Sequence, residues 1–421
     1  MSVTDIVSVF AEGTFEEQVQ ELVNYIGRGR SDEDRATLIH PFQDALRTSE
    51  NDKPLAEDVE KQQKVLSMVV VQVKGLGDGS EKEIEGFFNL LYSHLLTVYP
   101  TESTQTKEAV SHLLQVISLS SAESSIKYRI LSNLFNALPR RSPLRLPVYR
   151  TLLDIASTND ELEVLQISRA DVEKWMQEWD VTPEEKSQFL KSISDAFSKS
   201  GQPETAYLFT LSYVRSLPSS SPEAQAAALE AIAAALRLPI YNFDPLFKLD
   251  AVVASKEHEL FSLLQVFLNG GLSEYQSWEQ SHPDAFERYN LDREQLGRKI
   301  RLLTLASLGF DNLGKDLPYT KVAEVLQVDP SQVEKWVIDV IRAGLLSGKL
   351  SQTSQTLHIT RSTARTFERE QWQLLEQRLV AWKAGLASVL EVVATAQKKN
   401  AADSAPATNG VDAATQVQAA A

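Results

Sequence analysis

From residue 14 to about residue 310, apolar side chains recur three and four positions apart, in segments that open and close with helix punctuation. A chain patterned this way must fold as helix upon helix, because each amphipathic stripe has to be covered by another element. Thr182-Pro183-Glu184-Glu185 reads as a capping box with proline at the first helical position. The helix it opens carries Phe189, Ile193 and Phe197 on one face and stops at Gly201. Ser221-Pro222-Glu223 opens an alanine-rich helix that halts before Pro239, and Asp244-Pro245 opens another. Asn269-Gly270-Gly271 closes the helix holding Leu260, Leu263, Leu264 and Phe267. About a dozen helices are expected, joined by short polar loops. Antiparallel pairs with short connections stack into an array. Without a fixed sequence period the array is an irregular helical-repeat solenoid, with a compact bundle as the alternative.

After residue 291 the pattern changes. An amphipathic helix over 292–309 (Leu296, Ile300, Leu303, Leu305) is followed by a short helix over 317–328, for which Thr320 is the candidate cap. Asp329-Pro330-Ser331-Gln332 then reads as a start: Asp caps, Pro takes the first helical position and Gln reaches back. The helix it opens ends at Gly344, and its apolar side is Val333, Trp336, Val337, Val340 and Ile341. Two β-type runs come next, over 345–351 and 355–361. In the second, Leu357 and Ile359 face one side while Thr356, His358 and Thr360 face the other. Three helices and a two-stranded wing are the order of a winged helix.

The last helix carries the strictest period. Trp372, Leu375, Leu379, Trp382, Leu386, Val389 and Val393 are spaced alternately three and four apart, a heptad seam suited to lateral helix packing. The seam packs either on this chain's own body or on helices of other chains. A helix of about 30 residues, roughly 45 Å long, outruns a small winged-helix domain, which favours foreign partners. The expected organisation is a helical array over 1–200, a domain over 201–365 (helical part 201–290, winged helix 291–362), a docking helix over 366–398 and a disordered, alanine-rich tail over 399–421.

Composition narrows the functions. The chain has 421 residues, no cysteine and a formal charge of −15. Missing cysteine removes disulfides, thiolate metal sites and a thiol nucleophile. The acidity argues against coating nucleic acid or an anionic membrane. Residues 291–399 are nonetheless mildly basic, with 16 Lys and Arg against 12 Asp and Glu, which leaves room for weak, salt-sensitive contact with rRNA or mRNA. The nine-residue run 65–73 is too short for the ~20 residues of a membrane span, and no membrane-spanning segment or secretory leader is expected, so a soluble cytoplasmic or nuclear protein is expected, with the cytoplasm as the location chosen.

No catalytic constellation emerges, and no catalytic, metal or cofactor residues are assigned. Gly75-Leu76-Gly77-Asp78-Gly79 has the wrong spacing for a dinucleotide turn and is crowded by Asp78, Glu81, Glu83 and Glu85, so it reads as a flexible loop. None of the six histidines forms a metal motif, and Ser124-x-x-Lys127 is too short to mean anything alone. The third helix of the winged helix offers Glu334 and Asp339 against Lys335 and Arg342, which is thin for reading DNA bases.

A helical array, a winged helix and a long terminal helix are the layout of PCI domains, which recur in the proteasome lid, the signalosome and a translation initiation complex. YRILSNLFNAL (128–138), VYRTLLDIA (148–156), VEKWMQEWDVTPEEK (172–186), FDPLFKLDAV (243–252), KIRLLTLASLG (299–309) and RTFEREQWQLLEQRLVAWKAGLASV (365–389) resemble the M-subunit family of eukaryotic translation initiation factor 3. The resemblance runs from about 120 to 393. It implies a scaffold subunit without catalytic activity, cofactor or small-molecule substrate. Its partners would be other PCI and MPN-type subunits and, through the complex, the small ribosomal subunit, where the factor supports initiation-complex formation and mRNA recruitment. It suggests the wing (Thr356 to Thr360), through an exposed strand edge, and the heptad seam (Trp372 to Val393) as contact surfaces. A proteasome-lid or signalosome subunit and a directly RNA-binding winged helix are the competing readings.

Overall fold

The structure, a computed structural model, describes residues 13–47, 55, 57–366 and 369–403. The chain divides into two compact units, Met1–Val266 with Tyr275–Lys299 and Phe267–Glu274 with Ile300–Ala421.

The first unit is a helical array. Helices pack on those one to three places along the chain, as Glu81–Val98 does on Ser124–Ala137 and Arg145–Thr158 on Pro183–Lys199. One continuous apolar cluster runs from Val19 to Tyr213. The caps explain where the helices begin. Thr182 and Glu185 bond reciprocally, Thr182 N to Glu185 Oε2 at 2.9 Å and Glu185 N to Thr182 Oγ1 at 3.3 Å. Ser221 Oγ accepts from Ala224 N at 3.1 Å. Phe189, Ile193 and Phe197 are buried as the spacing requires. Among the described residues, seventeen α-helices begin before residue 300, more than the periodicity suggested. Part of the surplus is splitting: the one helix expected from Asp244-Pro245 is a single turn, Asp244–Phe247, followed by a separate Asp250–Ala254. One turn cannot display a 3.6-residue period, so the pattern does not register it.

The glycine loop after Val59–Gln72 is held rather than loose. Tyr25 Oη donates to Leu76 O at 2.8 Å, and the loop backbone lies against the ring. Gly77 has φ +81°, and a Cβ there would come within 2.7 Å of the ring. Close backbone approach is what the glycines serve.

Lys299 is buried, and its ammonium donates to the carbonyls of Ala235, Leu236 and Leu238, at the end of helix Pro222–Arg237, at 2.6, 3.3 and 2.7 Å. It also lies 4.9 Å from the centre of the Phe243 ring. Burial pulls the ammonium down to about 7, against which three acceptors and a ring face hold the proton.

The second unit is a winged helix followed by the terminal helix. Helix Arg293–Asp311 runs into it, and β1 (Asp316–Pro318), helix Tyr319–Leu326, helix Val333–Arg342, β2 (Leu346–Ser351) and β3 (Thr356–Ser362) follow. Pro330–Gln332 is a 3₁₀ turn capped by Asp329, which accepts from Ser331 N, and the α-helix begins only at Val333. Thr320 lies inside its helix, whose cap position is Pro318 and has no side-chain bond. The sheet has three strands in the order β1-β3-β2, all antiparallel, where the sequence reading gave two. β2 is irregular between Ser347 and Gly348; a Cβ on Gly348 would meet His358 O at 2.5 Å. The terminal helix spans Arg369–Asp403. Residues 404–421, most of the tail expected to be disordered, lie outside the described residues.

Candidate docking surfaces

The wing places its five candidate residues in two environments. Leu357 and Ile359 are fully buried and anchor the sheet on the helices. Thr356 is half-buried, while His358 and Thr360 are exposed. The exposed groups already have partners. His358 Nδ1 pairs with Asp316 Oδ1 at 2.7 Å, and Thr360 Oγ1 donates to Ser347 O at 3.0 Å. β3 is the middle strand, so the expectation that Thr356 to Thr360 offers a free edge is corrected: β1 pairs along one side and β2 along the other. The outer edges of this sheet belong to β1 and β2. β1 is three residues long and ends in Pro318, which lacks an N–H. The longer edge is Leu346–Ser351.

The terminal helix is different. Trp372, Leu375, Leu379, Trp382, Leu386, Val389 and Val393 are all exposed, with Trp372 at 61% and Trp382 at 68%. Val380, Leu390 and Val392 beside them are exposed too. Most of the seam, from Leu379 to Val393, therefore does not fold back into its own unit. It changes character along its length. Glu376, Arg378 and Lys383 flank the first half, whereas Leu390 and Val392 flank the second, so the apolar face widens toward Val393. A narrow stripe with charged borders suits one neighbouring helix, and a wide one suits several. By length and composition, Gln371–Lys398 is long and apolar enough to cross a membrane, contrary to the sequence expectation. Counting uninterrupted apolar runs missed it because its apolar residues are interleaved with small and polar ones. Lys383 and Glu391 lie within it, and its 3.5-residue period is that of helix packing.

The serine and lysine of the Ser124-x-x-Lys127 motif have partners of their own. Lys127 donates to the carbonyls of Ser118 and Ser120, and Ser124 Oγ donates to Glu161, so the serine and lysine of that short motif are engaged separately. No group of three metal-ligating side chains occurs among the described residues. On helix Val333–Arg342, Glu334 accepts from Gln352 Nε2 at 2.9 Å, and Lys335, Ile338 and Arg342 are left exposed. An isoleucine at the centre of that face does not suit hydrogen-bonded base reading.

Comparison with known proteins addresses the same two surfaces. Residues 279–361 match the PCI domain, and residues 365–393 match the model described as "eIF3 subunit M, C-terminal helix". The chain is 33% identical over 400 residues to eukaryotic translation initiation factor 3 subunit M of Phaeosphaeria nodorum, covering 92% of this chain and 88% of that one. It is 32% identical to the Aspergillus oryzae subunit M over 93% and 87% of the two chains. The Dictyostelium discoideum subunit M is 30% identical over 76% and 80%. With this identity sustained across nearly the whole length of its relatives, and the terminal helix matched in its own right, the chain belongs to the eukaryotic translation initiation factor 3 subunit M family.

Proposed function

We propose that this chain is a non-catalytic scaffold subunit of translation initiation factor 3 that works in the cytoplasm and holds its neighbours through the seam of its terminal helix and the edge of its wing. The observation that carries the reading is the solvent-exposed heptad seam, above all Leu379 to Val393, on a helix of 35 residues. Helices of other PCI and MPN-type subunits are the occupants that membership in this complex supplies. Large apolar side chains contribute about 1.5–3 kcal/mol each when fully buried, so a few of the seven seam residues suffice for a stable contact. Thr356, Leu357, His358, Ile359 and Thr360 support docking indirectly, as the strand that holds β2 in place with its edge outward. Through the assembled factor, the subunit reaches the small ribosomal subunit and supports initiation-complex formation and mRNA recruitment. The relatives compared above are each a subunit M, which does not favour the proteasome-lid and signalosome readings.

The test is the double change Leu379→Asp with Trp382→Asp. Both side chains are exposed, so the array and the winged helix stay folded by circular dichroism. Co-purification of the other subunits is expected to fall at least tenfold, because two charges would be buried without partners. Unchanged co-purification would sink the docking role of the seam.

A further inference from the structure

The stripe by which the terminal helix touches its own unit is not the seam. Gln371, Leu374 and Arg378, three and four apart, are half-buried, whereas Trp372, Leu375 and Leu379 beside them are exposed. The approach to the helix is fastened. Ser362 Oγ donates to Ala306 O at 2.7 Å, and Thr363 donates to Leu345 O through both N and Oγ1, each at 2.9 Å. Arg365 then inserts its guanidinium among acceptors: Nε to Leu303 O at 3.0 Å, Nη1 to Gly270 O at 2.6 Å and to Phe267 O at 3.5 Å, and Nη2 to Thr304 Oγ1 at 3.2 Å. Phe267 and Gly270 stand at the end of helix Glu259–Asn269, where carbonyls lack helical partners and the dipole favours a cation.

A second arginine repeats the device. Arg378 Nη2 donates to Phe310 O at 2.9 Å, and its guanidinium lies 5.0 Å from the centre of the Phe310 ring. Phe310 is the next-to-last residue of helix Arg293–Asp311, so its carbonyl too is free of the helical ladder. Leu303 and Phe310 are about two turns apart on that helix, roughly 10 Å along its axis. One attachment would leave the terminal helix free to pivot; two attachments at separate points on one support fix a direction. Among the described residues no carboxylate pairs with either arginine; the contacts they make are to carbonyls, a hydroxyl and a ring, and the planar fork of arginine reaches several acceptors at once.

We infer that Arg365 and Arg378 are positioning residues that set the direction in which the terminal helix leaves its unit, so that its neighbours meet a pre-aimed seam rather than a swinging one. The inference rests on the docking function proposed for the seam and adds what aims it. Ordering the helix in advance removes a loss of freedom that binding would otherwise have to offset.

The chain has no cysteine, so labels can be placed cleanly. Spin labels at Asp311→Cys and Gln397→Cys, both exposed, report the distance from the support to the far end of the helix in the full chain. The parent is expected to give one narrow distribution. Arg365→Ala and Arg378→Ala should each broaden it and weaken capture by the factor lacking this subunit, Arg365→Ala by about tenfold or more. Arg378→Lys should preserve both readouts, because one ammonium reaches one carbonyl. Arg365→Lys should fail, because a point charge does not span its set of acceptors. Arg378 is only half-buried, so its alanine variant keeps the test valid if Arg365→Ala does not fold. A distribution that stays narrow in Arg378→Ala, or one that broadens with no loss of capture, overturns the inference. The Leu379→Asp with Trp382→Asp variant separates the two levels: it should lose capture while the distribution stays narrow. If that variant binds like the parent, the docking reading itself fails, and the inference falls with it.

Discussion

Two regions of this molecule use nearly the same apolar pattern and treat it oppositely. In the array, the apolar faces of successive helices are sunk; Phe88, Leu91 and Leu95 of Glu81–Val98 are fully buried. On Arg369–Asp403, an apolar stripe from Leu379 to Val393 is exposed. The difference is one of neighbours. The helices of the array pack on neighbours one to three places along the chain, which cover their faces, whereas the terminal helix is the last one described. Its stricter 3.5-residue period also suits a straight seam with a long partner, not the shorter crossings of an array. The same hydrophobic free energy that stabilises one region is left unspent in the other until a partner arrives.

The comparison breaks most sharply in the array. Phe88 is fully buried, edge-on to Phe87 at 5.2 Å and tilted against Tyr92 at 5.9 Å. Phe88→Ala removes its burial and leaves a cavity, and should cost about 3–5 kcal/mol, read as a lowered denaturant midpoint. A loss below ~1 kcal/mol would mean that the array is loosely packed and that the contrast with the terminal helix is overstated.

Lys299 tests the array's polar joints. Lys299→Met keeps the stem but leaves the carbonyls of Ala235, Leu236 and Leu238 without their donor. Stranding buried acceptors should cost about 2–3 kcal/mol, with amide hydrogen exchange rising first at the end of Pro222–Arg237. If exchange there is unchanged, the ammonium is not what closes that helix.

Much of this contrast was legible in the sequence, and what was not has physical causes. Caps such as Thr182 with Glu185 are local chemistry, and local chemistry is written in adjacent letters. The alternation of Leu357 and Ile359 with His358 and Thr360 gave the wing for the same reason. β1 was missed because three residues ending in proline carry no periodicity; only pairing with β3 makes Asp316–Pro318 a strand. That pairing also moved the free edge off β3, so the residues singled out on the wing are its support and not its rim. The loop at Gly75 to Gly79 read as flexible because the Tyr25 ring that it clasps is about fifty residues away. Arg365 was missed because RSTARTFERE has few apolar residues and no period that would mark a buried position. Its burial depends on carbonyls of two helices far apart in sequence. The seam itself was legible; that it stands uncovered was not, because a period cannot say whether its partner lies in the same chain.

The smallest expected effect is the most discriminating. Trp382 is larger than Phe88, yet it is 68% exposed and on a face with nothing packed over most of it. If the seam serves only other chains, Trp382→Ala should change the stability of the free subunit by no more than about 0.5 kcal/mol, the range of ordinary surface changes. In the assembled factor the same change should cost several times as much, because the tryptophan is then buried and its removal leaves a hole. The measurement is a pair of unfolding curves, the free subunit and the complex, for parent and variant. A loss of about 2 kcal/mol or more in the free subunit would mean that Trp382 already packs within its own chain in solution. The terminal helix would then behave like the helices of the array, and the contrast from which its docking role is drawn would disappear.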